Sequence, residues 1–120
     1  MNKLELLQTF QSLGEANDNK IAAAYTVFLD LLECHILVDY FFDPDIQSIY
    51  FKQQVEDKVD YILPMSNNED IKLLRIVKIR KKFCNEESSN GLVVAIVCSN
   101  GTVIYQRFND GKVLDFRIQN

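Results

Sequence analysis

The most constraining stretch of the chain is Leu92-Val93-Val94-Ala95-Ile96-Val97, which offers no polar residue to either side of a strand. Side chains alternate between the two faces of a strand, so this run belongs at the centre of a sheet that is covered on both faces. That is the requirement of a layered α/β domain. The strand is predicted over residues 92–99, and Asn100-Gly101 behind it is a two-residue hairpin signal leading into a strand over 102–108. Asn109-Asp110-Gly111 then turns the chain into a last strand over 113–118, giving a C-terminal three-stranded meander.

Two helices are expected to supply the covering layers. Over residues 17–37, Ile21, Ala24, Tyr25, Phe28, Leu31 and Leu32 recur at helical spacing, and Asn17 or Asp18 can cap the first turn. Over 69–83, Asn68 is the cap, Glu69 and Asp70 suit a helix start, and Ile71, Leu73, Leu74, Ile76, Val77 and Phe83 form the buried side. A shorter stripe of Leu4, Leu7, Phe10 and Leu13 ends at Gly14. Between the main helices, strands over 38–42 and 46–53 flank the turn Asp43-Pro44-Asp45. A third strand over 59–65 stops near Pro64, and residues 85–91 read as a polar loop.

The 120 residues suit one domain, with few Gly and Pro, no linker and no internal repeat. Thirteen basic and 17 acidic side chains give a net charge of −4, which disfavours a free-standing nucleic-acid binder. The charge is uneven: residues 1–64 carry 4 basic and 11 acidic side chains, net −7, and residues 65–120 carry 9 and 6, net +3. No apolar run approaches the ~20 residues that span a bilayer. The first ten residues alternate charge with Leu, so a soluble, intracellular chain without membrane contact is expected. Cys34, Cys84 and Cys98 are odd in number and widely spaced; they are expected to be reduced and buried, with neither a disulfide framework nor a zinc site.

Few residues invite chemistry. Lys72, Arg75, Lys78, Arg80, Lys81 and Lys82 crowd one helix and can meet RNA phosphates or an acidic protein, against the plainer reading of a solvated face complementing the helix dipole. The only histidine, His35, reads as core packing or a helix C-terminal cap, because no motif places a nucleophile or carboxylate beside it. Asp43 and Asp45 read as turn residues, since a metal needs oxygen ligands that are not marked. Tyr61 and Tyr105 read as packing rings on strands. No phosphate loop, nucleophile elbow or metal-helix motif occurs, so no cofactor, metal or catalytic residue is assigned. The last strand alternates Leu114, Phe116 and Ile118 with Val113, Asp115 and Arg117, an edge that invites a partner.

Four segments stand in order along the chain: Ala24-Tyr25-Thr26-Val27-Phe28-Leu29-Asp30-Leu31-Leu32-Glu33, Tyr61-Ile62-Leu63-Pro64, Val94-Ala95-Ile96-Val97 followed by Asn100-Gly101-Thr102-Val103-Ile104-Tyr105, and Asp110-Gly111. In that order they resemble the small non-catalytic subunit of the eukaryotic tRNA-splicing endonuclease, the Sen-fifteen family. The resemblance implies an α/β domain similar to the catalytic domain of tRNA-intron endonucleases, restriction-endonuclease-like, with a mixed sheet flanked by helices. The active members cut RNA without metal using Tyr, His and Lys. The His and Lys places fall at residues 65–68 and 88–91, where this chain has neither residue.

The implied role is therefore structural. The chain would pair with the catalytic subunit that cuts the three-prime splice site, within a wider heterotetrameric complex, and would meet precursor tRNA through that complex. In the family the pairing uses the final strand and adjacent turn, which here are Asn109, Asp110, Gly111, Val113, Leu114, Phe116 and Ile118. Alone, the same edge is expected to give a homodimer. The location implied is nuclear, with any cytoplasmic share left open. Lys78, Arg80, Lys81 and Lys82 are the candidate RNA contacts. The rivals are a metal-independent ribonuclease built on Tyr61, Lys78 and His35, and an adaptor unrelated to tRNA that uses the basic helix.

Overall fold

The computed structural model describes residues 3–67, 73–83, 89–109 and 112–119, with positions 73, 109 and 112–119 described by backbone alone. In chain order the elements are α1 (Lys3–Gln11), α2 (Asp18–Glu33), β1 (Asp39–Asp43), β2 (Ser48–Val55), β3 (Lys58–Ser66), α3 (Leu73–Phe83), β4 (Ser89–Val97), β5 (Val103–Asn109) and β6 (Lys112–Gln119). The strands form one six-stranded sheet in the order β1-β2-β3-β4-β5-β6. Among the described residues only β3 and β4 run parallel, and α3 makes the crossover that a parallel pair requires.

β4 is the strand that its sequence demanded. Val93 and Ala95 join a core with Leu6 and Phe10 of α1 and Ile21, Ala24, Val27 and Leu31 of α2. Leu92 and Val94 join a second core with Ile76, Ile79 and Phe83 of α3. One apolar run thus serves two helix layers, α1 and α2 on one face and α3 on the other. In the first layer, Phe10 is fully buried and meets the rings of Phe28, Tyr40 and Phe51 at centroid distances of 5.6, 5.3 and 6.1 Å.

The helices differ from expectation in phase and in length. Leu4, Leu32 and Leu74, all assigned to apolar stripes, are 64%, 41% and 67% exposed, because the docked stripes run through Leu6 and Phe10, through Ala24, Val27 and Leu31, and through Ile76, Ile79 and Phe83. α2 is capped by Asn17, whose side-chain oxygen accepts from the N–H groups of Asn19 and Lys20 at 2.9 and 3.2 Å. It ends at Glu33, short of residue 37. His35 adopts φ 59, its N–H reaches Leu32 O at 3.0 Å, and the Ile36 N–H reaches Leu31 O at 2.9 Å. This Schellman closure stops the helix although the apolar spacing continues, and it brings Ile36 back against the core. His35 is therefore an exposed capping residue and not a core one. Cys34, at the cap, is exposed too, and Cys98 is half-buried, against the expectation of buried thiols; Cys84 lies outside the described residues.

β3 runs through Pro64 to Ser66, one residue past its expected end at Met65. Its pairing with β2 ends at Phe51↔Ile62, so the missing N–H of Pro64 falls where that ladder has already finished, while the parallel partner Ala95 continues on the other side. β4 begins at Ser89, three residues before the expected start. Its register shifts between Val59/Asp60, where Ser89 and Gly91 are matched and Asn90 is not, and this bulge carries the pairing back into what read as loop. The β4–β5 hairpin has three loop residues, not two. Cys98 N–H donates to Thr102 O at 2.8 Å, Gly101 N–H to Cys98 O at 3.0 Å, and Gly101 takes φ 87, the left-handed position such a loop needs. The start of the basic helix region at 68–72 and the loop at 84–88 lie outside the described residues.

Candidate functional site

On the α2 face a half-open cavity of about 130 Å³ lies between the end of α2 and the strands β2 to β5, lined by Asp30, Gln53, Asp60, Tyr105 and Arg107 among others. Four of these groups are paired with one another. The Tyr105 hydroxyl donates to Asp30 at 2.6 Å. Burial, then the hydrogen bond to Asp30 and its negative charge, push the phenol's pKa well above its usual range, so Tyr105 is a donor and not a base near neutrality. Arg107 holds Asp60 with two bonds of 2.8 and 3.0 Å, and Asn90, freed by the bulge, adds a third at 2.9 Å. Gly91, at φ 154, sits where an added Cβ would meet the Arg107 guanidinium at 3.4 Å. The Asp60 side chain is only 6% exposed and that of Arg107 31%, which marks a largely buried pair. The packing expected of both tyrosines holds: Tyr61 packs parallel to Phe83 at 5.0 Å, and Tyr105 packs against the α1–α2 core while its hydroxyl also donates to Asp30.

The expected catalytic places do not converge. Ser66 is in register with Val97, and Val59 with Ser89, so residues 65–68 and 88–91 mark opposite ends of the parallel pair. Seven residues separate those ends of β3, about 23 Å at strand rise. Asn68 and Ser88 themselves lie outside the described residues. The rival set of Tyr61, Lys78 and His35 is also not brought together. Tyr61 packs with the α3 layer and Lys78 is on α3, while His35 ends α2 across the sheet.

The basic helix is divided by its surroundings. Lys82 lies between Asp43 and Asp45, 2.8 Å from each, so the two acids of the β1–β2 turn hold an ammonium. Burial works to raise the Asp43 pKa, but the Lys82 ammonium and the N–H groups of Asp45 and Ile46 outweigh it and the net direction is downward from 3.8. A lowered carboxyl pKa adds stability above its unfolded value and loses it as pH falls through the folded one, so this tether weakens below about pH 4. The Lys82 pKa is raised by Asp43 and then Asp45, and that contribution is lost only in strong alkali, above 10.5. In Lys82→Gln the Asp43 titration, followed by carboxyl carbon NMR shifts, is expected to move up towards 3.8; an unmoved midpoint would show that the turn's own N–H groups set it.

Arg80 is half-buried and Lys81 exposed, while Lys78 lines a cleft of about 530 Å³ together with Lys20, Arg75 and Lys82. Lys20, on α2, was missed by sequence reasoning because nothing local marks it as a partner of residues more than fifty positions away. Lys72 lies outside the described residues.

β1 forms one edge of the sheet and β6 the other. β6 pairs with β5 alone, through Ile104↔Ile118, Gln106↔Phe116 and Phe108↔Val113. The register shifts between Arg107/Phe108, which leaves Leu114 without a partner and interrupts the regular alternation expected for Leu114, Phe116 and Ile118. Asn109, Val113, Leu114, Phe116 and Ile118 are placed by backbone; Asp110 and Gly111 lie outside the described residues. Among the described residues no group of three or more His, Cys, Asp or Glu is arranged to hold a metal, and no helix is long and apolar enough to cross a membrane.

The model of one protein family, described as Sen15 protein, matches residues 27–114, more than half of the chain and all the strands that line the cavity. No curated protein matches it.

Proposed function

The chain belongs to the Sen15 family, whose members are subunits of the tRNA-splicing endonuclease, and from that premise we propose that it is a non-catalytic, structural subunit of the complex. Its single endonuclease-like domain, with β4, β5 and β6 as a C-terminal meander, serves to seat the catalytic subunit that cuts the three-prime splice site within a heterotetramer. It supports intron removal from precursor tRNA without cutting RNA, and its place is nuclear.

The observation that carries this reading is the position of β6 at the rim of the sheet, paired on one side only. A free strand edge presents a row of backbone donors and acceptors that a second chain can extend, and the residues beside it set register and affinity. The non-catalytic part is supported by the polar cavity, where Asp30 is engaged by Tyr105 and Asp60 by Arg107. Lys78 and His35 lie on opposite sides of the sheet, which counts against the ribonuclease alternative.

When the chain is purified alone, the same edge pairs with its copy about a two-fold axis. Light scattering at high micromolar concentration is expected to give twice the 13.9 kDa of one chain. A monomer at that concentration would remove the support that the exposed edge gives to pairing.

A further inference from the structure

The chain's net charge of −4 conceals a local concentration of the opposite sign. The cleft between α3 and the β1–β2 turn is lined by Lys20, Arg75, Lys78 and Lys82, with Asp45 the one acid among its lining residues. Lys82 is shared by Asp43 and Asp45, so that trio sums to one negative charge. Lys20, Arg75 and Lys78 add three positive charges that are in no ion pair among the described residues. Two of them are held in place without being neutralised. Lys20 Nζ donates to Gln47 O and Arg75 Nη2 to Ile46 O, each at 2.7 Å, and backbone carbonyls leave the cationic charge intact. The remaining N–H groups stay available to an anion.

Beside the cleft stands a series of rings. Phe41 is 38% exposed and stacks on Tyr50 at 5.5 Å with 25° between planes. Tyr50 lies 4.6 Å from Phe83, which is parallel to Tyr61 at 5.0 Å. The Lys52 ammonium is 5.0 Å from the Phe41 centroid and 5.5 Å from that of Tyr61. Phe41 is thus the exposed end of a ring stack fixed from within. It is two residues along β1 from Asp43, about 7 Å, and Asp43 is bound to the Lys82 that borders the cleft.

We propose that this cleft holds the phosphodiester backbone of single-stranded RNA and that Phe41 stacks one of its bases. The inference rests on the chain's membership of an RNA-cutting complex and adds to it a contact surface that belongs to this subunit. An acidic protein would be drawn by the three cations, but it has no use for a fixed, exposed ring beside a further ammonium. A strand of nucleic acid needs both a cationic track and a stacking platform. The contact set is Lys20, Arg75, Lys78, Phe41 and Lys52. Lys82 is already engaged, and neither Arg80 nor Lys81 lines the cleft.

Fluorescence anisotropy of the full chain with a labelled single-stranded RNA of about 12 nucleotides, within the span of one single-strand binding site, tests this over a series of KCl concentrations. The wild-type chain is expected to bind with an affinity that falls steeply with salt. Lys20→Glu/Arg75→Glu/Lys78→Glu should lose at least about tenfold and flatten the log-log salt slope by about two, from three phosphate contacts on single strands. Phe41→Ala should lose about tenfold with the slope unchanged, since stacking releases no counterions. Lys78→Glu alone, at an exposed position, guards against a folding defect in the triple variant.

Equal affinity in all variants overturns the proposal. So does displacement of the RNA by polyglutamate of matched charge with no Phe41 dependence, which would make the cleft an acidic-protein site. Co-purification of the wild-type chain with the endonuclease, measured separately, reports on the subunit role whatever the RNA result.

Discussion

Arg107→Ala is expected to destabilise the domain by about 3 kcal/mol, the lower end of the cost of removing one member of a buried ion pair. That cost lies mainly in the group left behind. Asp60, with its side chain 6% exposed, would keep a negative charge in the cavity with only Asn90 to receive it. The partial exposure of Arg107, at 31%, and the surviving Asn90 bond keep the figure from going higher. A double-mutant cycle by chemical denaturation checks this. Asp60→Ala/Arg107→Ala should cost less than the sum of the single changes by at least about 1.5 kcal/mol, as neighbours in one network do. Additive effects, or an Arg107→Ala cost under about 1 kcal/mol, would mean a solvent-screened pair. The lock has a positional consequence: Arg107 sits on β5 beside the register shift that governs β6, so the pair fixes the strand on which the edge is built.

Phe116→Asp is expected to abolish the homodimer and to weaken pairing with a catalytic subunit by at least about a hundredfold, ~2.7 kcal/mol. Phe116 is in register with Gln106 on the outermost strand, so a charge there is placed in the rim that a second chain must cover. Interface affinity concentrates in a few central apolar anchors, and a carboxylate buried among them without a partner is costly. Ile118→Asp, in register with Ile104, should act in the same direction. Light scattering and thermal unfolding of each variant separate lost association from lost fold. A variant that melts like the wild type and still dimerises would show that β6 is not the pairing edge.

Much of the sheet was legible because β4 is apolar on both faces and because turn residues punctuate the strands around it. The cap of α2 could be narrowed to Asn17 or Asp18, and the acids of the β1–β2 turn named as turn formers, from short-range chemistry alone. The misses share a cause. The docked faces of α1, α2 and α3 were chosen by tertiary packing among apolar stripes of similar strength, which left Leu4, Leu32 and Leu74 outside. The end of α2 was set by the left-handed His35, a conformation that no glycine announced. The early start of β4 depended on a bulge that only the partner strand defines.

Long-range pairs were the least legible. Arg107 and Asp60 are 47 residues apart and Tyr105 and Asp30 are 75 apart, so no local spacing could connect them. Lys20 joined the basic cleft for the same reason. The basic helix was visible as a run of charge, but its division into a tethered Lys82, a cleft-lining Lys78 and an exposed Lys81 came from the turn packed against it.

Co-purification tests the structural-subunit role most directly. Tagged chain is expressed in cells, recovered at physiological salt and the bound proteins are identified. The two catalytic subunits of the tRNA-splicing endonuclease are expected with the wild-type chain, and their loss is expected with a Phe116→Asp chain that remains folded. Recovery of neither subunit with the wild type, or of both with the variant, would contradict pairing through β6.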